Sequence, residues 1–316
     1  MKGAISTYID PERCNGCGRC VTVCPSRAIS LVNGKAAITG ERSFACGHCA
    51  AVCPTDAIRI ADLDDQATSF RTFSQDDCWL PPGSTSTADL VHLMRSRRSI
   101  RAYQEKTVSR TTLEELVKIG VTAPSGTNSQ RWTFTIIPSR SEMIAFGHLV
   151  ADFYRRLNQL AAKRWLRNLL KIFGRRELAV YYQEYFQTIR EGLAEWDDHG
   201  IDRLFHGAPA AILVGSRPGA SCPQDDALLA TQNILLAAHT MGLGTCLIGF
   251  AVEAMKREKK IGTALGIPGK EPIYSVIALG YPAVAFQRPA GRKKIVCRYY
   301  EIPLSSQESL VSDLRI

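Results

Sequence analysis

Seven of the chain's eleven cysteines fall in two short runs that superimpose at a constant offset, and this duplication restricts the fold more than any other feature. The first run, "CNGCGRCVTVCPSRAISL", lays Cys17 over Cys46, Cys20 over Cys49, Cys24 over Cys53, Pro25 over Pro54, Ala28 over Ala57 and Ile29 over Ile58. Its spacing, C-x2-C-x2-C-x3-C-P, is the bacterial pattern that holds 4Fe-4S clusters. Three thiolates two residues apart wrap one cube, and the fourth, past a turn fixed by proline, points to the other. The second run, "RSFACGHCAAVCP", has Ser43 where the first has Cys14. Zinc takes four ligands in two pairs and would strand three of these cysteines, and disulfide frameworks suit secreted chains. His48, beside Cys49, reads as a neighbour and not a ligand, because a ring so close in sequence would struggle to share its iron.

In the arrangement of a two-cluster ferredoxin, one cluster takes Cys14, Cys17, Cys20 and the remote Cys53. The second takes Cys46, Cys49 and the remote Cys24, with Ser43 foremost for the last corner. A serine alkoxide is harder than a thiolate and harder to form, so this second site is expected to be the fragile one. Cys78 or water filling the corner, or loss of iron to a three-iron cluster, are the alternatives. Cys222, Cys246 and Cys297 have no ligand spacing and read as ordinary thiols.

A chain of 316 residues suits a small module plus one full domain. The expected division is a ferredoxin-like domain over 1–62, a polar linker over 63–87 containing "DLDDQATSFRTFSQDD" and "PPGSTST", and a larger domain over 88–316. In the larger domain, helices are expected at "STADLVHLMRSR", with Ser86 or Thr87 as cap, and at "SRTTLEELVKIGVTAP", where Thr111 and Glu114 fit a capping box. "RWTFTIIP", "PAAILVG" and "IYSVIALG" read as strands, with a long apolar helix at "DDALLATQNILLAAHTMGLG". This order predicts an α+β fold, a sheet covered by helices. No secretory leader precedes the first motif and no apolar run reaches membrane-spanning length, so a cytoplasmic protein without a membrane span is expected.

"RSRRSIRAY" places Arg97, Arg98 and Arg101 around Ser99, a set of planar donor forks and a hydroxyl suited to a phosphate monoester. "APSGTNSQRW", "GLGTCLIGF" and "LGYPAVAFQRPAGRKK" follow it. In this order and spacing the four segments resemble the nitroreductase superfamily of FMN proteins, from about Leu90 to Arg298. With the cysteine repeat in front, the chain is similar to that superfamily's ferredoxin-fused branch. The resemblance implies a mixed sheet flanked by helices and a homodimer with FMN at the shared interface. It implies that Arg97, Arg98, Ser99 and Arg101 hold the FMN phosphate and ribityl chain, and that Pro124, Ser125 and Gly126 line the ring from the partner subunit with Asn128 close by. The backbone of Leu247, Ile248 and Gly249 would lie against the N5 edge, and Arg292 would return to the phosphate. Arg131 and Lys294 stand where the family favours proline. The glycines of "GLGTCL" do not make a dinucleotide-binding motif: the third glycine is absent and a helix, not a strand, precedes them. They read instead as a helix stop and a tight turn at Gly242 and Gly244.

These cofactors imply an oxidoreductase in which electrons enter the clusters singly, collect on FMN and reduce an electron-poor organic acceptor: a nitroaromatic, a quinone or an activated alkene. NAD(P)H could serve as donor by stacking on the flavin, and an electron-donor protein is the other candidate. The alternative is a redox relay or sensor that exchanges electrons with a protein partner without turnover. No catalytic side chain is evident. The interval 151–205 is read as a helical insert, two helices broken near Gly174, the first of which has the arginines and lysines that carry much of the net charge of +9. A lid over the flavin is favoured for it over membrane or nucleic-acid binding.

Overall fold

The computed structural model describes residues 5–64, 66–76 and 78–300. Residues 301–316, the end of the larger expected domain, lie outside the described residues. The chain divides into a unit ending at Ala285 and a second beginning at Phe286. Described by itself, the second runs through residues 286–300 as exposed chain without helix or strand.

The sequence duplication is a duplication of backbone. The first half carries β1 (Thr7–Ile9), α1 (Arg19–Val23) and β2 (Ile29–Val32), and the second repeats them as β3 (Lys35–Ile38), α2 (His48–Ala51) and β4 (Ile58–Ile60). The halves exchange strands: β1 pairs antiparallel with β4, and β2 with β3. Each short helix follows a left-handed glycine, Gly18 at φ 74° and Gly47 at φ 78°. Arg27 and Asp56, equivalent in the repeat, both turn the chain at positive φ. The core between the halves is small, built from Cys14, Cys20, Ile29, Ala36, Ala57 and Ile58.

The segment joining this module to the rest is polar yet anchored. Glu115, only 2% exposed, accepts hydrogen bonds from the backbone N–H groups of Arg71 and Thr72 and from the Thr72 hydroxyl. Lys118 donates to the Ser69 carbonyl over 2.8 Å.

Beyond it come α3 (Thr87–Ser96), α4 (Arg110–Gly120), β5 (Trp132–Ile137), α5 (Arg140–Ala162), α6 (Arg164–Ile172), α7 (Glu177–Glu184), α8 (Phe186–His199), β6 (Ala210–Ser216), α9 (Pro223–Thr240), β7 (Gly244–Leu247), α10 (Gly249–Arg257), α11 (Lys259–Ala264) and β8 (Ile273–Gly280). Ser86 caps α3 by accepting from the Asp89 N–H. The cap of α4 is Ser109, bonded to the Thr112 N–H, so the capping box expected at Thr111 and Glu114 starts two residues too late.

The four-stranded sheet has the order β5-β6-β8-β7, with antiparallel ladders and a single parallel bridge, Ser99 to Thr245, at its β7 edge. Alternate residues of β6 and β8 enter two different cores. Ala211, Leu213, Val276 and Ala278 pack on one face with α5, α10 and α11, whereas Ala210, Ile212, Val214, Ile277 and Leu279 pack on the other with α4 and α9. A sheet buried on both faces needs apolar residues at every position, which is why these strands read as continuous hydrophobic runs. The structure is thus the expected α+β arrangement of helices flanking a sheet, behind a ferredoxin-type module.

The 151–205 interval differs from the two-helix expectation. It holds the end of α5, then α6, α7 and α8, with breaks at Lys163, near Gly174 and at Tyr185. Phe153 and Tyr154 face the core, while Trp165 and Phe173 stand exposed on and just after α6.

Candidate functional site

Both sets of cysteine ligands expected from the ferredoxin spacing surround a cavity. Cys14, Cys17, Cys20 and Cys53 line the first, with Ile9, Ala36 and Ile58 at its wall. Cys24, Cys46, Cys49 and Ser43 line the second, together with Phe44 and His48. Each cavity therefore draws three positions from one half of the repeat and its fourth from the other. Among the described residues, no three His, Cys, Asp or Glu side chains close on a point suited to one bare ion. Thiols spread around a void suit a bulkier group. Cys78, offered as a substitute ligand, is exposed and lines neither cavity.

The surroundings also suit sulfur ligands carrying negative charge. The Ala28 N–H points at Cys24 Sγ over 3.3 Å, and its repeat equivalent Ala57 points at Cys53 Sγ over 3.2 Å. The Ala36 N–H meets Cys14 Sγ at 3.4 Å. Burial pushes the Cys20 and Cys49 thiols up. At Cys53 burial acts in the same sense but the Ala57 N–H and the Thr55 hydroxyl outweigh it, leaving that thiol lowered. Gly16 is required sterically, since a Cβ there would lie 2.1 Å from the Gly34 carbonyl oxygen.

The second candidate site forms where the arginine segment runs along the β7 edge. Ile100 N–H bonds to the Thr245 carbonyl over 2.9 Å, and Ser99 bridges Thr245. Gly244 makes this approach possible: a Cβ on it would lie 2.4 Å from Ile100 Cγ1. It begins a strand and is not the tight turn expected, whereas Gly242, at φ 75°, does follow the end of α9. The docking brings Ser99, Arg101 and Arg97 to Cys246. Burial raises that thiol, and the two guanidiniums and the Ser99 hydroxyl pull against it. Leu247 and Phe250 follow at 48% and 41% exposed, while Ile248 between them is buried.

The Pro124–Asn128 loop is clamped from α9. Asp226, buried in the first turn of that helix, accepts from the Gly126 N–H over 2.8 Å and from the Ser129 hydroxyl over 3.3 Å, and its carbonyl takes the Trp132 indole N–H over 3.0 Å. Pro124 is exposed, and Ser125, Gly126 and Asn128 are half-buried. Arg292 lies in the separate unit, exposed, with hydrogen bonds to the carbonyls of Ala290 and Gly291 just before it.

Three features went unread in the sequence. Asp226 looked like an ordinary helix-start acid. His206 sits at φ 57° beside Arg101, and burial and then that guanidinium hold its imidazole below the usual value, hence neutral at neutral pH. Phe250 joins an aromatic cluster with Tyr154, Tyr181 and Tyr185, with ring centroids 5.8 Å from Tyr154 and 5.9 Å from Tyr185. The Tyr154 hydroxyl donates to the Phe250 carbonyl over 2.9 Å, tying α5 to the start of α10.

The nitroreductase family model matches residues 94–281, more than half of the chain. The chain belongs to the nitroreductase family. In front, a 4Fe-4S binding domain model matches residues 7–30 and an LdpA Fe-S cluster-binding domain model residues 20–63. This nitroreductase-family chain with an iron–sulfur module is accordingly an oxidoreductase. It is 26% identical to the Archaeoglobus fulgidus protein named "Putative NADH dehydrogenase/NAD(P)H nitroreductase", over 61% of this chain and 86% of that one. It is 27% identical to a 4-nitrobenzoate reductase from Nocardioides sp., over 60% of this chain and 78% of the relative. Among solved structures it is similar to a Bacteroides fragilis nitroreductase with bound FMN, with a TM-score of 0.49 and 22% identity, covering 67% of this chain and 99% of that one. No helix among the described residues is long and apolar enough to cross a membrane.

Proposed function

We propose that the protein is an FMN-dependent oxidoreductase that takes electrons through two iron–sulfur clusters and delivers them to an electron-poor organic acceptor. The observation that carries this reading is the docking of Arg97–Arg101 along β7. It gathers the Arg97 and Arg101 guanidiniums and the Ser99 hydroxyl around Cys246, next in the chain to the exposed Leu247, Gly249 and Phe250. Arg97, Arg98, Ser99 and Arg101 would bind the phosphate end of FMN, where forked donors match its oxygens. The Leu247–Gly249 backbone would meet the ring, and the Pro124–Gly126 loop, held by Asp226, would line it from a second copy of the chain.

Clusters pass electrons singly and FMN stores two, so the pair joins one-electron donors to two-electron acceptors. The protein's own part is to bind, orient and exclude water. Tyr185 and Phe250 offer aromatic faces beside the ring position, suited to flat acceptors such as nitroaromatics or quinones. His206, held neutral, can hydrogen-bond near Arg101 without repelling it. The proton accompanying reduction would come from solvent. The relatives named for NAD(P)H and for 4-nitrobenzoate support a nitroaromatic acceptor and admit NAD(P)H as a second donor.

Anaerobic purification with iron, sulfide and flavin counts, followed by reoxidation of the reduced protein with a panel of small acceptors, tests this. Flavin together with two clusters per chain and rapid reoxidation by at least one acceptor class is expected. Failure with every acceptor alongside fast exchange with a ferredoxin or flavodoxin would replace the enzyme by a relay.

A further inference from the structure

An unbroken series of hydrogen bonds connects the second cysteine cavity to the Pro124–Asn128 loop. Ser43 Oγ accepts from the Ala45 N–H over 3.0 Å. The Ala45 carbonyl accepts from Asn128 Nδ2 over 2.9 Å. Asn128 Oδ1 accepts from Gln130 Nε2 over 3.1 Å, which fixes the amide so that its NH2 faces Ala45. The Gln130 N–H returns to Ser125 Oγ over 3.0 Å. Both ends are held in uncommon backbone: Ala45 has φ 49° where its repeat equivalent is Gly16, and Thr127, Asn128 and Gln130 have φ of 53°, 53° and 46°. Such conformations are unfavourable for residues other than glycine and persist where surrounding contacts fix them. Among the described residues, the hydrogen bonds from this loop to the cysteine module reach Ala45, next to Cys46, and none reaches the first cavity.

We infer that the Ser43-containing cluster is the one that passes electrons to the flavin, and that Asn128, oriented by Gln130, is the positioning residue that sets its approach. The inference rests on the cluster and flavin reading above. The first cluster is then the entry point for a one-electron donor of the ferredoxin or flavodoxin class. That donor is oxidised by one electron per encounter, and two encounters with two protons from solvent complete one reduced flavin. The series of bonds ends at Ser125, which would line the ring, and includes neither Arg97 nor Arg98, which would hold the phosphate.

The test uses the full holoprotein, prepared anaerobically. In the first arm, flavin bleaching driven by a reduced ferredoxin is followed in wild type, Asn128→Ala and Gln130→Ala, with iron and flavin content and direct photoreduction of the flavin measured alongside. Both variants are expected to slow cluster-driven bleaching by roughly ten- to a hundredfold, the upper end being about what a 1 Å misplacement costs. Cofactor content and photoreduction should stay at wild-type levels in Gln130→Ala, the variant outside the flavin-lining set, which a generally damaged fold would not allow. The second arm reads proximity without turnover, as the spin relaxation that a reduced cluster imposes on the flavin radical. Enhancement should survive Cys17→Ala, which removes the first cluster, and vanish in Cys46→Ala, which removes the second. The opposite pattern, or cluster-driven bleaching at full speed in both loop variants, overturns the inference while leaving the function standing. Absence of any cluster-driven bleaching in wild type, with both clusters loaded, overturns the function and the inference together.

Discussion

Gly244→Ala adds a single methyl group at the point where the arginine segment meets the sheet. The new Cβ would lie 2.4 Å from Ile100 Cγ1, 2.8 Å from its Cβ and 3.0 Å from its Cγ2, against about 3.5–4.0 Å for relaxed carbon contacts. Ile100 is 6% exposed, and its N–H is bonded to Thr245, so it cannot swing outward without breaking the bridge beside it. Overpacking of this kind costs about 1–3 kcal/mol, offset by about 0.4–1 kcal/mol from stiffening of the unfolded chain. The net destabilisation is about 1–2 kcal/mol, or roughly 3–6 °C in Tm for a domain of this size. Because Ile100 sits between Ser99 and Arg101, the displacement also separates the phosphate donors, and FMN affinity should fall at least about tenfold, equivalent to about 1.4 kcal/mol. Thermal melts followed by circular dichroism, with flavin fluorescence titration of the apoprotein, measure both effects. Gly269→Ala, with open space around the added carbon, is the neutral control. The decisive comparison is the double variant with Ile100→Ala, which removes Cγ1 and Cγ2. Its destabilisation should fall short of the sum of the single changes by about 1 kcal/mol or more. Strict additivity, or a Gly244→Ala protein that melts and binds flavin like wild type, would refute the steric account of this glycine.

Replacing Ser43 by Cys should give the second cluster a fourth thiolate, seen as slower loss of iron to a chelator from that site and no change at the first. Cys53→Ser, although it lies in the second run, should bleach the first cluster's signals, and Cys24→Ser those of the second, because each cavity is lined by one of these cysteines from the other half. Glu115→Ala should cost about 2–4 kcal/mol in a denaturant melt, the range for stranding donors that were bonded to a buried carboxylate. Burial pushes the Glu115 carboxyl up, but the Thr72 hydroxyl and the Arg71 and Thr72 N–H groups outweigh it, leaving it below the ordinary value of 4.5. Its stabilisation is therefore present above that value and is lost as pH falls through the lower folded one. Wild type should lose its advantage over Glu115→Gln only in acid below about pH 4.5, as read from melts across the acid range.

The sequence showed most clearly what depends on local spacing. The cysteine intervals and the paired prolines carry the duplication in full view, and "PAAILVG" and "IYSVIALG" announce strands because burial on both faces leaves them no polar positions. Features that depend on distant partners were not visible. Nothing near Asp226 in the chain says that its carboxylate will clamp Gly126 and Ser129, a hundred residues earlier in the case of Gly126. The cap of α4 was misplaced because Thr111 and Glu114 satisfy a pattern that Ser109 satisfies better in space. Gly244 reads as a tight turn because it follows the helix stop at Gly242, whereas its real constraint is the approach of Ile100 from a segment far earlier in the chain. The break at Lys163 escaped notice because "AAKRWL" keeps helical composition across it.

The two halves of the cysteine module share a backbone but not their surroundings, and the difference bears on why a weakened ligand set can persist. Its apolar core amounts to a handful of residues, two of them cysteines, so under the two-cluster function proposed above metal–ligand bonds would supply much of the module's folding free energy. A half that offers three thiolates and a hydroxyl would forfeit part of that. It is also the half with outside support: Ala45 is bonded to Asn128, and Gly47 packs against Leu63, where an added Cβ would come within 3.3 Å of the leucine methyl. The first half keeps all four thiolates, and Lys35, from within the module, donates to the Cys14 carbonyl. The distribution follows from the energetics: a site with a poorer ligand can hold its shape when the adjoining domain fixes the loop that carries it.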